Sequence, residues 1–163
     1  MNMFRQYQML MEPNQELNNP MTPAYLAGLR SQIGDLYRPD PFIYVYDKVL
    51  TASQTNVQDQ LTISSDADFM LMGLSVPTST GLFSLQLSDA RLYYLSNTPL
   101  LSTLFSTDPT LPFPFIGDYD TDTETGGLWI PSGSRIGITL NDLSAGTNTI
   151  QLNFVGVKKL KVA

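Results

Sequence analysis

The chain has 163 residues, 42% of them hydrophobic and only 15% charged, and it contains neither cysteine nor histidine. A chain of this length can bury a core without disulfides or metals, and the missing residue types exclude disulfides, thiolate chemistry and the common catalytic triads. The formal net charge of -6 also opposes nucleic-acid binding, which requires a basic surface.

Residues 1–21 differ in composition from the rest of the chain. They hold five of the seven methionines, set among Gln and Asn, and show no persistent helical or strand period. Because Met adapts to irregular apolar surfaces, we predict an extended arm that becomes ordered on a neighbour, a frayed terminus being the alternative. Together with the following segment, the arm supplies the expected interface residues, which are Met3, Phe4, Tyr7, Met9, Met11, Tyr25 and Leu29.

The same region lacks the features of a targeting or membrane segment. The first residues contain no apolar stretch of the kind found in signal peptides, and no apolar run approaches the ~20 residues of a membrane span. We therefore expect a soluble protein with no membrane partner, made in the cytoplasm.

One short helix is predicted at about residues 22–33. Thr22 is a suitable N-cap, Pro23 is favoured at the first helical position, and Gly34 is a natural terminator. The residues between them place one apolar stripe on the helix, formed by Tyr25, Leu26, Leu29 and Ile33. We assign residues 1–38 to the arm with this helix, and residues 39–163 to a separate β-domain.

After the sequence Arg38-Pro39-Asp40-Pro41 the apolar period changes to two, which is typical of strands. About eight strands are predicted, one of them short, from alternating or β-branched segments bounded by turn residues. They cover residues 42–50, 57–63, 68–76, 82–87, 91–95, 100–105, 135–140 and 149–157. The continuous apolar run at 68–76 indicates a strand buried on both faces. With almost no helix between strands, the pattern predicts an all-β antiparallel sandwich with jelly-roll-like topology.

A long segment at residues 107–127 carries the sharpest cluster of acids, Asp118, Asp120, Asp122 and Glu124. Their spacing matches the first half of a calcium-binding EF-hand loop. However, Thr123 stands where glycine is required and Trp129 stands where the final Glu is required. A solvated loop is therefore favoured, a looser Ca²⁺ site is the alternative, and we expect no cofactor.

Four other groups of residues have both structural and functional interpretations. Asp66 and Asp68 precede a buried strand, and we expect them to cap backbone N–H groups there rather than to form a catalytic pair. Lys48 is expected to be an exposed strand lysine. The C-terminal basic run is expected to be a solvated strand end. Four aromatic residues are expected to form either a protein interface or a carbohydrate-stacking platform. These two sets are Lys158, Lys159 and Lys161, and Tyr93, Tyr94, Tyr119 and Trp129.

From about residue 42 to residue 161 the sequence resembles small β-rich structural proteins of bacteriophage virions. The resemblance rests on segments of strand and turn type, with no catalytic signature. These segments are Asp66-Ala67-Asp68-Phe69, Leu111-Pro112-Phe113-Pro114-Phe115, Trp129-Ile130-Pro131-Ser132-Gly133-Ser134 and the closing strand from Ile150 to Lys159.

This resemblance implies a jelly-roll-like fold and a place on a phage particle. The expected function is that of a non-enzymatic capsid-associated decoration or stabilisation protein, located in the virion and, during assembly, in the host cytoplasm. Its expected partners are the major capsid protein or other virion subunits, and it is expected to form a homo-oligomer, with a trimer favoured. A carbohydrate- or receptor-binding β-sandwich module of a virion is the alternative.

Overall fold

The computed structural model of the protein describes residues 37–89, 95–114 and 127–161. Within these residues nine strands form two antiparallel sheets, which confirms the prediction of an all-β antiparallel sandwich. In sheet A the order is β1 (Tyr37–Leu50), β9 (Asn148–Lys161) and β3 (Asp68–Ser79), with β6 (Phe113–Pro114) and β7 (Leu128–Ile130) both paired to β3. In sheet B the order is β2 (Val57–Thr62), β8 (Arg135–Asp142), β4 (Phe83–Ser88) and β5 (Leu100–Leu101).

The hydrophobic core lies between the two sheets. Successive side chains in a strand point to opposite faces, so every second residue of each strand enters this core. Its fully buried members come from both sheets and include Leu50, Phe69, Leu71, Leu74, Phe83, Leu85, Ile136, Ile138, Leu140, Leu152 and Phe154. The sandwich therefore follows directly from the period-two pattern of the sequence.

The first strand begins earlier than the predicted residue 42. Pro39 and Pro41 both lie inside β1, opposite Lys159 and Val157 of β9. Proline cannot donate a ladder hydrogen bond, but it is tolerated in an edge strand where its nitrogen points away from the neighbouring strand. In the described part of sheet A β1 is such an edge, and the double-proline segment therefore continues the strand instead of breaking it.

Two further strand predictions need correction. Residues 100–105 form a two-residue strand, Leu100–Leu101, followed by a short 3-10 helix at Ser102–Leu104. The Pro-rich stretch contains β6, and residues 128–130 form β7; neither strand was predicted, because two or three residues leave no period to detect. Most of the strand predicted at 91–95, the arm and the helix at 22–33 lie outside the described residues, as does most of the domain assigned to residues 1–38.

Gly156 permits the tight centre of sheet A. It lies in β9 between Phe42 of β1 and Leu71 of β3. A Cβ atom at this position would lie 2.6 Å from a ring carbon of Phe69, and it would lie still closer to the carbonyl oxygen of Met70. Only glycine leaves room for the Phe69 ring to cross β9 into the core.

We predict that Gly156→Ala destabilises the fold by about 3 kcal/mol or more, because a backbone atom of β3 cannot yield to the added methyl group. Denaturant unfolding followed by far-ultraviolet circular dichroism measures this change. Gly146→Ala is the matched control, since a Cβ atom there meets nothing within 4 Å. It should stay within about 0.5 kcal/mol of the original chain, and equal stability of the two variants would contradict the account.

Candidate interaction surface

The two sheets differ sharply in the faces that they turn away from the core. On sheet B, the residues that alternate with core residues are polar and mostly uncharged. They include Gln58, Gln60, Ser84, Gln86, Ser88, Thr139 and Asn141. Such a face is typical of antiparallel sheets that have one side in water.

The outer face of sheet A, called face A below, is apolar at its centre and carries polar side chains toward its ends. It consists of the residues that alternate with the core residues of β1, β3, β7 and β9. Its apolar members are Ile43, Val45, Val49, Met70, Met72, Trp129, Val155 and Val157, and its polar members include Asp47, Ser75, Gln151, Asn153 and Lys159. Antiparallel sheets with a solvated outer face place polar residues at such positions, so the composition of face A differs from that of a face in water.

Burial varies across face A from its centre to its flanks. Met70, Val155 and Val157 in the centre are buried, and all residues from Phe69 to Val76 are buried, which confirms that β3 excludes water on both faces. The flanks are open: Val45 is 50% exposed, Val49 is 59% exposed and Trp129 is 44% exposed. The exposed valines lie on β1, at the edge of the described sheet.

The apolar centre of face A contains one polar pair. Ser75 of β3 and Asn153 of β9 are directly opposite each other, and Val45 is opposite Asn153 on the other side. Ser75 is 0% exposed and Asn153 is 9% exposed. Within the part of the chain that the structure describes, Ser75 Oγ and Asn153 Oδ1 are the buried side-chain atoms without a hydrogen-bond partner. Leaving such a group unpaired costs about 1–3 kcal/mol.

Lys158 contradicts the expectation of a solvated strand end. It is 7% exposed and lies at one end of the sandwich, with Nζ 4.0 Å from the centre of the Phe42 ring. The same atom donates hydrogen bonds to both carboxylate oxygens of Asp66, at 2.9 and 3.2 Å. The period of β9 turns Lys158 inward, and the ion pair and the aromatic ring compensate the burial of its charge.

Lys48 also differs from its expected role. Its Nζ donates a hydrogen bond of 2.7 Å to Asp59 on β2, and the Tyr46 hydroxyl donates one of 2.9 Å to the same carboxylate oxygen. The hydrogen bond from Lys48 lowers the pKa of Asp59, while burial, followed by the bond to Asp59, raises the pKa of the Tyr46 phenol. This cluster links β1 of sheet A to β2 of sheet B.

Asp142 joins the loops at the opposite end of the sandwich. Its carboxylate accepts hydrogen bonds from the backbone N–H of Ser53 and Ser144 and from the side chain of Asn148. Ser53 lies in the connection between β1 and β2, whereas Ser144 lies in the connection between β8 and β9 and Asn148 is the first residue of β9. Asp68 has a similar but smaller role, because it accepts a hydrogen bond from the Ser132 N–H, as expected for a capping residue.

Most residues that the sequence singled out for function lie outside the described residues. This applies to the calcium candidates Asp118, Asp120, Asp122 and Glu124, to Tyr93, Tyr94 and Tyr119, and to the interface residues Met3, Phe4, Tyr7, Met9, Met11, Tyr25 and Leu29. Trp129 is described; it lies on face A, with the Lys159 Nζ 5.7 Å from its ring centre. The described residues contain no group of three or more acids that could hold a metal ion.

Sequence reasoning missed face A as a surface. The signal was present, since the residues of β1 and β9 between the core positions include Ile43, Val45, Val155 and Val157. Strands with apolar residues on both alternating sets are covered on both faces. The run at 68–76 was interpreted in this way, but the two partner strands were not.

Comparison of the chain with protein-family models, with curated proteins and with solved structures found no match. Among the described residues, no helix is long and apolar enough to cross a membrane.

The Asp66–Lys158 pair predicts a pH dependence of stability. A hydrogen bond from Ser64, followed by the one from Lys158, lowers the pKa of Asp66 to about 2. A lowered carboxylate pKa stabilises the fold above its ordinary value near 4, and this contribution is lost as the pH falls toward 2. Asp66→Asn should therefore be less stable at neutral pH and should lose less stability between pH 5 and pH 2.

Thermal melts across this pH range measure the effect. Lys158→Met should flatten the same slope, whereas Lys159→Met removes the adjacent charge from the opposite side of β9 and should preserve it. An unchanged slope in Asp66→Asn would show that the pair does not contribute to acid sensitivity.

Proposed function

We propose that the protein is a non-enzymatic structural subunit of a bacteriophage particle, of the capsid-associated decoration or stabilisation type. It docks through its N-terminal arm and through apolar surfaces, and its partners are the major capsid protein or other virion subunits. The proposal includes self-association, with a trimer as the favoured state.

One observation carries this proposal: face A is mostly apolar while the corresponding face of sheet B is polar. Val45, Val49 and Trp129 leave the flanks of face A open. Interfaces between subunits enrich aromatic and apolar side chains, and Val45, Val49 and Trp129 supply these on the open flanks of face A. The polar clusters around Asp59, Asp66 and Asp142 connect strands or loops, and each therefore has a structural role that needs no reaction.

The strand pairings support a jelly-roll interpretation of the sandwich. The pairs β1 with β9, β2 with β8, β3 with β7 and β4 with β5 are nested one inside the other. Nested antiparallel pairs that alternate between two four-stranded sheets are the arrangement of jelly rolls, which viral capsid domains use. The additional strand β6 extends the side of β3 on which β7 lies.

A charge placed on face A should prevent incorporation into particles. Val45→Asp changes an exposed side chain, so the fold should lose at most about 0.5 kcal/mol, but docking of face A against another subunit would bury the carboxylate. Mass spectrometry of particles assembled in cells that express the variant gives its copy ratio to the major capsid protein. We expect the ratio to fall at least tenfold.

Gln58→Asp is the matched control, because Gln58 is an exposed strand residue on the polar face of sheet B. It should be incorporated like the original chain. Equal incorporation of both variants would contradict docking through face A, and a chain that never copurifies with particles would contradict the proposed function itself.

A carbohydrate- or receptor-binding module is the second candidate, because Trp129 exposes an indole ring beside Lys159. Under this proposal Trp129→Ala should abolish binding on a glycan array, while deletion of residues 1–38 should leave binding intact. Under the assembly proposal the intact chain binds no glycan, and deletion of residues 1–38 eliminates incorporation into particles.

A further inference from the structure

We propose that copies of this chain associate with one another through one end of the sandwich, at which Leu82 and Leu143 are exposed. This end, called the leucine end below, is formed by the β1–β2, β3–β4 and β8–β9 connections, which are residues 51–56, 80–82 and 143–147. The inference rests on the proposed function, because it names the surface through which the proposed self-association occurs. The partner that this surface fits is a second copy of the chain.

The exposed leucines are the first reason. Leu82 is 54% exposed and Leu143 is 51% exposed. The two residues are neighbours, because the Leu143 N–H donates a hydrogen bond of 2.9 Å to the Leu82 carbonyl oxygen. Leu101, which is also half-exposed, pairs with Ser84, two residues after Leu82. Exposed apolar side chains that lie together indicate a contact surface, whereas single ones need no explanation.

The rigid support of these leucines is the second reason. Asp142 is buried and accepts hydrogen bonds from the N–H groups of Ser53 and Ser144, so it joins two of the three connections. Asn148 is also buried, and its side chain donates one hydrogen bond to Asp142 and another, of 3.2 Å, to the Leu82 carbonyl oxygen of the third connection. A surface that is already fixed in the free chain loses little conformational freedom on binding. The buried network therefore prepares the leucine end for contact.

The distribution of charge is the third reason, and it identifies the partner. The three connections contain no Asp, Glu, Lys or Arg, whereas the opposite end of the sandwich carries Asp66, Asp68, Lys158 and Lys159. Copies of a chain with a net charge of -6 repel one another. This repulsion opposes contact least where neither copy contributes a charged side chain. The leucines and hydroxyl side chains of the leucine end are also complementary to themselves, since a hydroxyl both donates and accepts hydrogen bonds.

Rotational symmetry accounts for how one surface can bind itself. In a closed assembly every copy contributes the same part of its surface near the axis. With the leucine end at the axis, Leu143 of one copy lies near Leu143 of the next, and this holds for a dimer as well as for the favoured trimer. Face A lies on a side of the sandwich and not at its end, so the same copy can dock on the particle through face A.

Disulfide trapping between full-length chains tests this arrangement, because the sequence contains no cysteine. The Leu143→Cys variant is oxidised in air at a concentration at which the original chain self-associates, and we expect a disulfide-linked dimer on a non-reducing gel. Ser132→Cys is the matched control, since Ser132 is exposed in the turn between β7 and β8 at the opposite end. It should give at least about fivefold less dimer, because only residues near the axis meet their own copies.

A charge at the leucine end gives a second measurement. Leu143→Asp changes an exposed side chain, so its thermal melt should stay close to that of the original chain, but association would bring like charges together. We expect self-association in sedimentation equilibrium to weaken at least about tenfold. Ser132→Asp adds the same charge at the opposite end and should leave association unchanged. Equal trapping of the two cysteine variants, or equal association of the two aspartate variants, overturns the inference. If Leu143→Asp does not fold, the trapping comparison decides alone.

The inference and the proposed function fail in different ways. A chain that enters particles but remains a monomer, or whose association is unchanged in Leu143→Asp, retains its proposed place on the particle and loses this inference. A chain that is trapped at Leu143 but never enters particles retains the inference and loses the proposed function.

Discussion

The antiparallel pairing of β3 with β9 is the interaction on which the rest of the structure depends. These strands form the centre of sheet A, and both of their faces exclude water. The inner side chains, such as Phe69 and Phe154, meet sheet B, and the outer ones form face A. Gly156 makes this close approach possible, since the Phe69 ring occupies the space that any other side chain would need. Sheet B covers the inner side of this sheet; the centre of the outer side is also buried, and its flanks at Val45, Val49 and Trp129 are open.

Charged groups in this protein hold the sandwich together at its ends and at one side. Asp66 pairs with Lys158 at one end, Asp142 joins the β1–β2 and β8–β9 connections at the other, and Asp59 connects β1 to β2 through Tyr46 and Lys48. This use explains how a chain with 15% charged residues can place so few charges on its sheet faces. The outer face of sheet A is therefore mostly apolar, whereas that of sheet B carries amide and hydroxyl groups. This difference gives other subunits a basis for specific contact with one face.

The all-β architecture was predictable because alternation with period two is a local property, visible in segments such as Arg135–Asp142. Side-chain partners were less predictable, because they depend on register between strands far apart in sequence. From the sequence alone Lys158 is expected to be solvated. The pairing of β9 with β1 instead places its Nζ over the Phe42 ring. Pro39 and Pro41 indicate a strand break in the sequence. They are tolerated inside β1 because β1 lies at an edge of the described sheet. Face A could have been inferred from the valines of β1 and β9, but the pairing of Ser75 with Asn153 could not, because a bulge in β3 sets it.

The central claim, that face A is buried in the assembled protein, can be measured without any label, because the chain contains a single tryptophan and it lies on this face. Acrylamide quenching of Trp129 fluorescence reports how open face A is, and it can be followed from dilute monomer to the assembled particle. The account predicts that quenching falls severalfold and that the emission shifts to shorter wavelength as subunits assemble. Assembly that leaves Trp129 as accessible as in the monomer would contradict it.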